Sequence, residues 1–428
     1  MPEFLIFENR LVGNAQHSPE PPMGGVVVPD SVFRALRQFT IDNEQAEGLF
    51  TFMVHKGREY IRVHNYVGLL TLPDGSRLEI LPKIDQQSNT RPLLLSMLRH
   101  LRNSPFRTLR TAHSRAVRIP LWEVFITAFL DTVDALAQQG IQRAYVTVEG
   151  NERFWKGRFQ AARQQRDNAC HAERLAVVYD TLTASVPPNR ILKTALVAIH
   201  AKTTDQANKR RIHQLLSVLE EVALSDDVRS DLMAVRRSNR LFMRYETALG
   251  WAEMLLMGQG PGVKRGDKES IALLFPMERV FEDYVAHGIR AYWPSADRIS
   301  VQESSAHLVD EHVGAPRFKL RPDIIIRHQD RTFVMDTKWK QVNGLSLDTS
   351  PRTASYGIDQ ADMYQVYAYG KKYAANDLFL LYPANSTFRE PLAVFAYDAT
   401  TRLHVVPFDV TNSLANEVEK LALYALSF

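Results

Sequence analysis

RPDIIIRHQDRTFVMDTKWK (residues 321–340) is the stretch of sequence that decides the fold of the C-terminal region. Two apolar segments flank the polar turn RHQDR, so the pattern predicts an antiparallel β-hairpin. Asp323 opens the first predicted strand, and Asp336 lies late in the second. Folding the chain at the turn therefore brings these two carboxylates together at one end of a sheet.

Asp336 is followed two positions later by Lys338. Because side chains alternate along a strand, these two residues point to the same face of the sheet. This is the only place in the chain where an acidic residue precedes a lysine by two positions. Charged residues beside the apolar run TFVM need a reason, and an active centre is one such reason. The alternative is an ordinary ion pair at a solvated strand end.

The residue types around the hairpin suit the hydrolysis of a phosphodiester, which requires a metal ion to neutralise developing charge and activate water. Mg²⁺ prefers oxygen ligands and keeps several waters, so one or two carboxylates suffice. Glu282 on the preceding predicted helix adds a third acidic group, unless it is an exposed helical charge. Gln365 and Tyr369, at i and i+4 of the following helix, are candidates to contact phosphate or orient Lys338. The alternative for them is ordinary helix–sheet packing.

The elements around the hairpin predict an α/β unit over residues 266–428. Helix PMERVFEDYVAHGIRAYW (276–293) precedes the hairpin; helix IDQADMYQVYAYGKKYAA (358–375) and strand DLFLLYP (377–383) follow it. Helix–strand–strand–helix–strand is a compact order with one mixed sheet. The segment GQGPGVKRGDKES (258–270), rich in glycine and charge, is the predicted linker.

The rest of the chain predicts two further regions, which makes the fold class α/β multidomain. Residues 1–170 are predicted to be β-rich, because short apolar segments alternate with turn signals. Residues 171–265 are predicted to form a helical connecting region, in which Asn189 is a candidate N-cap. The length of 428 residues is consistent with two to three domains.

The composition is that of an ordinary globular protein, with 45% hydrophobic and 23% charged residues. The single cysteine, Cys170, excludes an internal disulfide and fits a reducing compartment. No secretory signal or run of about 20 apolar residues is present, so a cytoplasmic location is expected. The net charge of +4 permits a nucleic-acid partner without requiring one. The basic clusters at 99–110 and 209–211 are either phosphate contacts or solvated helix faces.

The C-terminal region resembles the PD-(D/E)xK nuclease superfamily. The motifs of that superfamily occur here in the same order, as Glu282, Pro322-Asp323, Asp336-Thr337-Lys338 and Gln365-x-x-x-Tyr369. More narrowly, the chain resembles the McrC family, the nuclease subunits of McrBC modification-dependent restriction systems. The segments that carry this narrower resemblance are NYVGLLTLPDGSRLEILPKI (65–84), FWKGRF (154–159), VYDTLTASVPPNRILKTAL (178–196), RYETALGWAEMLL (244–256) and LFPMERVFEDYV (274–285).

The resemblance implies a Mg²⁺-dependent DNA endonuclease with a restriction-endonuclease-like core at residues 266–428. It implies one or two Mg²⁺ ions held by Asp323, Asp336 and the backbone carbonyl of Thr337, with Glu282 contributing directly or through water. Lys338 is expected to position the attacking water or stabilise charge, and to act as a base only if burial lowers its pKa.

The resemblance also implies a partner, an McrB-like AAA+ GTPase ring that translocates DNA. By analogy the β-rich region 1–170 docks into that ring and stimulates nucleotide hydrolysis. This chain contains no G-x-x-x-x-G-K-[ST] phosphate loop, so no nucleotide site is expected in it. Two other functions stay open: a non-catalytic regulator of an AAA+ ring with a nuclease-like scaffold, and a stand-alone DNA repair or defence nuclease.

Overall fold

A computed structural model describes residues 3–22, 24–42, 48–72, 74–84, 90–109, 119–237, 242–258, 272–344 and 355–428. The chain forms two compact units, one of Met1–Arg118 with Gln259–Phe428 and the other of Ile119–Gly258. This division differs from the expected segments 1–170, 171–265 and 266–428, because the N-terminal strands belong to the same unit as the C-terminal sheet. All but the first residue of the predicted linker 258–270 lies outside the described residues.

The N-terminal part of the first unit is rich in strands, as expected. Its elements are β1 (Glu3–Phe7), β2 (Leu11–Asn14), β3 (Val26–Val28), α1 (Asp30–Asp42), β4 (Phe50–His55), β5 (Arg58–Val63), β6 (Tyr66–Thr71), β7 (Arg77–Leu81) and α2 (Thr90–Leu98). Strands β3-β2-β5-β4 form one sheet in that order. Helix α1 was not expected. It buries Val32, Leu36 and Phe39 at helical spacing against the same core as Ile61.

The second unit combines helices with a small antiparallel sheet. Its elements are α3 (Leu121–Gln138), β8 (Ala144–Glu152), β9 (Arg158–Phe159), α4 (Ala161–Asp167), β10 (Leu175–Thr183), α5 (Pro187–His200), α6 (Gln206–Val218), α7 (Val228–Arg237) and α8 (Glu246–Met257). The strand order is β8-β10-β9. The N-cap prediction for Asn189 is wrong, because α5 begins at Pro187. The buried Asn189 amide instead donates to the carbonyls of Gln142 and Ala184.

The C-terminal part of the first unit contains the predicted helix, hairpin, helix and strand, but three strands that were not predicted lie between the first helix and the hairpin. Its elements are β11 (Ala272–Pro276), α9 (Met277–Tyr292), β12 (Arg298–Val301), β13 (His307–His312), β14 (Ala315–Lys319), β15 (Ile324–His328), β16 (Arg331–Thr337), α10 (Gln360–Tyr373), β17 (Asp377–Pro383), β18 (Phe395–Ala396), β19 (Arg402–Phe408) and α11 (Leu414–Leu426). The main sheet has the order β12-β15-β16-β17-β19-β18. It is mixed, because β16, β17 and β19 are parallel and the other pairs are antiparallel.

Strand β11 joins the two parts of the first unit. It pairs antiparallel with β6, which extends a second sheet of order β1-β7-β6-β11. Gly68 on β6 has φ +128°, and a Cβ there would clash with the carbonyl oxygen of Leu273. Only glycine therefore allows this close approach of the two backbones.

Helices cover both faces of the main sheet. On one face Val366 and Tyr369 of α10 share a core with Val334 and Leu378. On the other, Phe281 of α9 packs its ring against Trp339 and Phe408. Among the described residues, no helix has both the length and the apolar character needed to cross a membrane.

Candidate active site

The β15–β16 hairpin brings the two predicted aspartates to the same end of the main sheet. Ile324 pairs with Met335, and His328 pairs with Arg331 across the turn. Continuing this register by one residue places Asp323 directly opposite Asp336, where cross-strand Cβ atoms are about 5 Å apart. The Asp323 Oδ2 atom accepts hydrogen bonds from the backbone N–H and the hydroxyl of Thr337, both at 2.7 Å.

Lys338 forms an ion pair with Asp336 in a largely buried setting. Its Nζ atom lies 2.6 Å from Asp336 Oδ2, and the Asp336 residue is only 2% exposed. The same ammonium donates to Gln365 Oε1 at 3.0 Å and lies 4.0 Å from Asp362 Oδ1. The alternative of a solvated strand-end pair therefore does not describe this site.

Helix α10 supplies a second layer of contacts behind Lys338. The Gln365 Nε2 atom donates to the Tyr369 hydroxyl at 2.6 Å, and that hydroxyl donates to the Arg321 carbonyl at 3.4 Å. Gln365 thus orients the lysine, and Tyr369 orients Gln365. Tyr369 is also buried in the core between α10 and the sheet. It therefore both packs the helix on the sheet and holds Gln365 in place.

The electrostatics of the site are those of buried carboxylates crowded together. Burial, followed by the charge of Asp323, raises the pKa of Asp336 to about 7. Burial also raises the pKa of Asp323, although the Thr337 hydrogen bonds oppose it. For Lys338, burial lowers the pKa, but the charges of Asp336, Asp362 and Asp323 outweigh it and raise the pKa above its ordinary value. Lys338 is therefore an ammonium at neutral pH.

Glu282 lies close enough to this centre to interact with Asp323, but two other side chains hold it. Burial and the charge of Asp323 raise the Glu282 pKa to about 7. Its Oε1 atom accepts from Arg102 Nη2 at 2.9 Å and from Gln302 Nε2. Within the described ranges, no group of three or more acidic, histidine or cysteine side chains is arranged to hold a metal. Direct ligation by Glu282 together with both aspartates is thus not prearranged here.

Three further residues touch this site and were not predicted as part of it. The sequence indicates only that Arg102 belongs to a basic cluster, whereas the structure shows that it binds both Glu282 and the buried Asp283. Gln302 has φ +49°, and its backbone N–H donates to the Asp323 carbonyl at 2.8 Å. Asp362, which lies near Lys338, forms an ion pair with Lys340, and Lys340 also forms an ion pair with Asp359. No local pattern marks Arg102 or Gln302, because their partners are 180 and 20 positions away in sequence.

Comparisons with known proteins place the chain among restriction-system components. The family described as McrBC 5-methylcytosine restriction system component matches residues 61–383. Since this match spans well over half of the sequence, the chain belongs to the McrBC family. No curated protein sequence matches it.

One solved structure agrees with this assignment at the level of the fold. A chain of the tetradecameric assembly of Thermococcus gammatolerans McrB AAA+ hexamers with bound McrC has a TM-score of 0.70 at 17% identity, over 99% of this chain and 100% of that chain. A chain of the Thermococcus gammatolerans McrBC complex has a TM-score of 0.48 at 20% identity, over 66% of this chain and 85% of that chain. The resemblance to McrC seen in the sequence is confirmed.

Proposed function

We propose that this chain is the DNA-cleaving subunit of an McrBC-type restriction system, a Mg²⁺-dependent endonuclease with a PD-(D/E)xK core. The observation that carries the proposal is the buried Asp336–Lys338 ion pair directly across the hairpin from Asp323. Burying two neighbouring carboxylates is unfavourable, as the raised pKa values of both aspartates indicate. Such arrangements concentrate at functional sites.

The oxygen atoms at this centre suit a hard divalent cation. Both hydrogen bonds from Thr337 to Asp323 end on the Oδ2 atom. The Asp323 Oδ1 atom accepts no hydrogen bond from a described residue. Asp336 Oδ2 is buried without a well-aligned hydrogen-bond donor among the described residues, although the Lys338 ammonium is near. Two carboxylates are enough for Mg²⁺, which keeps several of its waters.

We therefore assign Asp323 and Asp336 as the residues that hold one or two Mg²⁺ ions, with the Thr337 carbonyl as a further ligand. Glu282 contributes through water or directly through its Oε2 atom, because Arg102 and Gln302 occupy its Oε1 atom. When bound, Mg²⁺ supplies charge neutralisation at the phosphate and lowers the pKa of a water molecule.

Lys338 serves as a fixed positive charge in this proposal. The charges of the neighbouring carboxylates raise its pKa and favour the ammonium form, so we assign it the role of a cation rather than that of a general base. Its ammonium positions the attacking water or neutralises the phosphate oxygens in the transition state. Gln365 limits the orientations of the ammonium by accepting its hydrogen bond.

The two rival functions make different demands on these residues. Burying the Asp336–Lys338 ion pair costs free energy. A non-catalytic regulator has no function that requires such a pair. A stand-alone nuclease does not need the rest of an McrBC-type chain, whereas the family match extends over residues 61–383. Both considerations favour a nuclease that works with a partner.

The test is cleavage of methylated DNA by the chain together with its AAA+ partner and Mg²⁺. Asp336→Asn should reduce the cleavage rate by at least about a thousandfold, since it removes one of two metal ligands. Asp377→Asn is the matched control, because Asp377 is a buried, ion-paired aspartate at the other end of the same sheet. Cleavage by Asp336→Asn at the rate of the control would refute the proposed site.

We also propose that the turn between β8 and β9 docks on an AAA+ GTPase ring like the McrB hexamers of the similar structure. Phe154 and Trp155 at this turn are 76% and 65% exposed. The Trp155 ring stacks on Phe159, and Lys156 lies over the Tyr179 ring. Gly157, at φ +59°, packs too tightly against Val178 and Tyr179 for a side chain. The turn therefore presents aromatic and basic side chains on a rigid base, a composition typical of interaction surfaces.

This second proposal predicts separate effects on stimulation and folding. The double change Phe154→Ala with Trp155→Ala should abolish stimulation of the partner's GTP hydrolysis and leave the thermal midpoint of the chain unchanged. Phe318→Ala, an equally exposed phenylalanine elsewhere, is the control. Wild-type stimulation by the double variant would exclude the turn as the docking site.

A further inference from the structure

Two arginines and two histidines lie together on the outer face of α9 beside the candidate active site. The rings of His100 and His287 are in contact, with centroids 4.1 Å apart and planes tilted by 35°. Arg107 is close enough to both imidazoles to lower their pKa values, and Arg290 acts in the same way on His287. We call His100, Arg107, His287 and Arg290 the α9 basic strip.

The two arginines of the strip lack an acidic partner among the residues that the structure describes. Neither Arg107 nor Arg290 forms an ion pair or side-chain hydrogen bond with any residue that the structure describes, and both are exposed. By contrast, Arg102, in the same segment, is engaged by Glu282 and Asp283. The two guanidinium groups therefore have no carboxylate in the described part of the chain to neutralise their charge, and a bound anion would stabilise them.

The strip runs along the helix that carries Glu282. Asp283, His287 and Arg290 occupy positions i, i+4 and i+7, and so they share one face of α9. At 1.5 Å per residue, Arg290 lies about 12 Å along the helix axis from Glu282. That length matches about three to four phosphates of one DNA strand at 3.4 Å of axial rise each.

We infer that the α9 basic strip contacts the phosphate backbone of DNA on one side of the cleavage site. The inference rests on the proposed function, because a strand whose phosphate reaches Asp336 and Lys338 would continue along α9. The flat guanidinium groups of Arg107 and Arg290 suit bidentate contacts with phosphate oxygens. Such contacts are independent of sequence, so the strip positions DNA without reading bases.

The test measures DNA affinity of the full chain without Mg²⁺ as a function of salt, by fluorescence anisotropy with a labelled 30-base-pair duplex. The double change Arg107→Gln with Arg290→Gln should weaken binding at low salt by about tenfold or more. It should also reduce the slope of log K against log[NaCl] by about 2, since each phosphate contact contributes about 0.9.

The control double variant is Arg34→Gln with Arg236→Gln, which removes the same charge from exposed arginines elsewhere. Its slope should equal that of the wild type. Equal slopes for the strip variant and this control, or no DNA binding by the wild type, would overturn the inference. Asp336→Asn should bind DNA with the wild-type slope and fail to cleave. If the Asp336→Asn variant cleaves DNA, the proposed function is wrong. The salt dependence of DNA binding by the strip variant would still test the role of the strip.

Discussion

Removing the guanidinium of Arg102 should both destabilise the first unit and disturb the candidate site. Arg102 makes three contacts with α9: its backbone N–H donates to Asp283 Oδ2 at 2.9 Å, its Nε to Asp283 Oδ1, and its Nη2 to Glu282. The Asp283 side chain is 0% exposed, while that of Arg102 is 32% exposed. In Arg102→Met one backbone hydrogen bond remains, but a fully buried carboxylate loses its cation.

Removing one partner of a buried ion pair lowers the free energy of unfolding by about 3–5 kcal/mol. Because Arg102 is partly exposed, Arg102→Met should lower it by about 3 kcal/mol. The assay is urea denaturation followed by tryptophan fluorescence. The change Asp283→Asn alone removes the charge that needs a partner, so the two changes together should cost about 2 kcal/mol less than the sum of the single costs.

Arg91→Met is the matched control, because Arg91 pairs with the buried Glu79 in the same unit. Both variants should lose stability, but only Arg102→Met should lower DNA cleavage at a temperature where both remain folded, since Arg102 also holds Glu282. A loss below about 0.5 kcal/mol for Arg102→Met, or additive single and double variants, would refute this reasoning.

Two other predictions concern stability. Burial raises the pKa of Asp377, but hydrogen bonds from His404 and Arg331 and the charge of Arg402 outweigh it and hold this pKa at about 2, below its ordinary 3.8. The ionised carboxylate therefore adds about 2 kcal/mol to the free energy of unfolding above pH 4, and this contribution is lost as the pH falls toward 2. The urea midpoints of the wild type and Asp377→Asn should converge over that range. A constant difference would contradict this. Gly68→Ala should lower the thermal midpoint by several degrees, because its Cβ meets the Leu273 carbonyl oxygen; an unchanged midpoint would show that β6 and β11 do not approach so closely.

The local parts of this fold could be predicted from the sequence. Two apolar segments on either side of a polar turn predicted β15 and β16, and helical periodicity predicted α9 and α10. The hairpin register then placed Asp323 opposite Asp336 without any distant contact. In the same way, Lys338 and Gln365 could be paired, because a helix between two parallel strands packs on their sheet.

The non-local parts could not be predicted. Strand β11 pairs with β6 across about 200 residues of chain, so no local pattern shows that the N-terminal strands and the C-terminal sheet form one unit. The contact between Arg102 and Glu282 is equally distant. Helix α1 has apolar residues at helical spacing, but the strand-like segments on both sides of it favour a β-rich reading of this region. Asn189 was misplaced because the two prolines before it already begin α5.

The central claim is that the β15–β16 hairpin gathers two aspartates around a divalent cation. Electron paramagnetic resonance of Mn²⁺, which accepts the same oxygen ligands as Mg²⁺, measures this directly on the purified chain. The wild type and Asp377→Asn should bind Mn²⁺ with equal affinity, and Asp323→Asn and Asp336→Asn should each lose that binding. Undiminished Mn²⁺ binding by both of the latter variants would contradict the account.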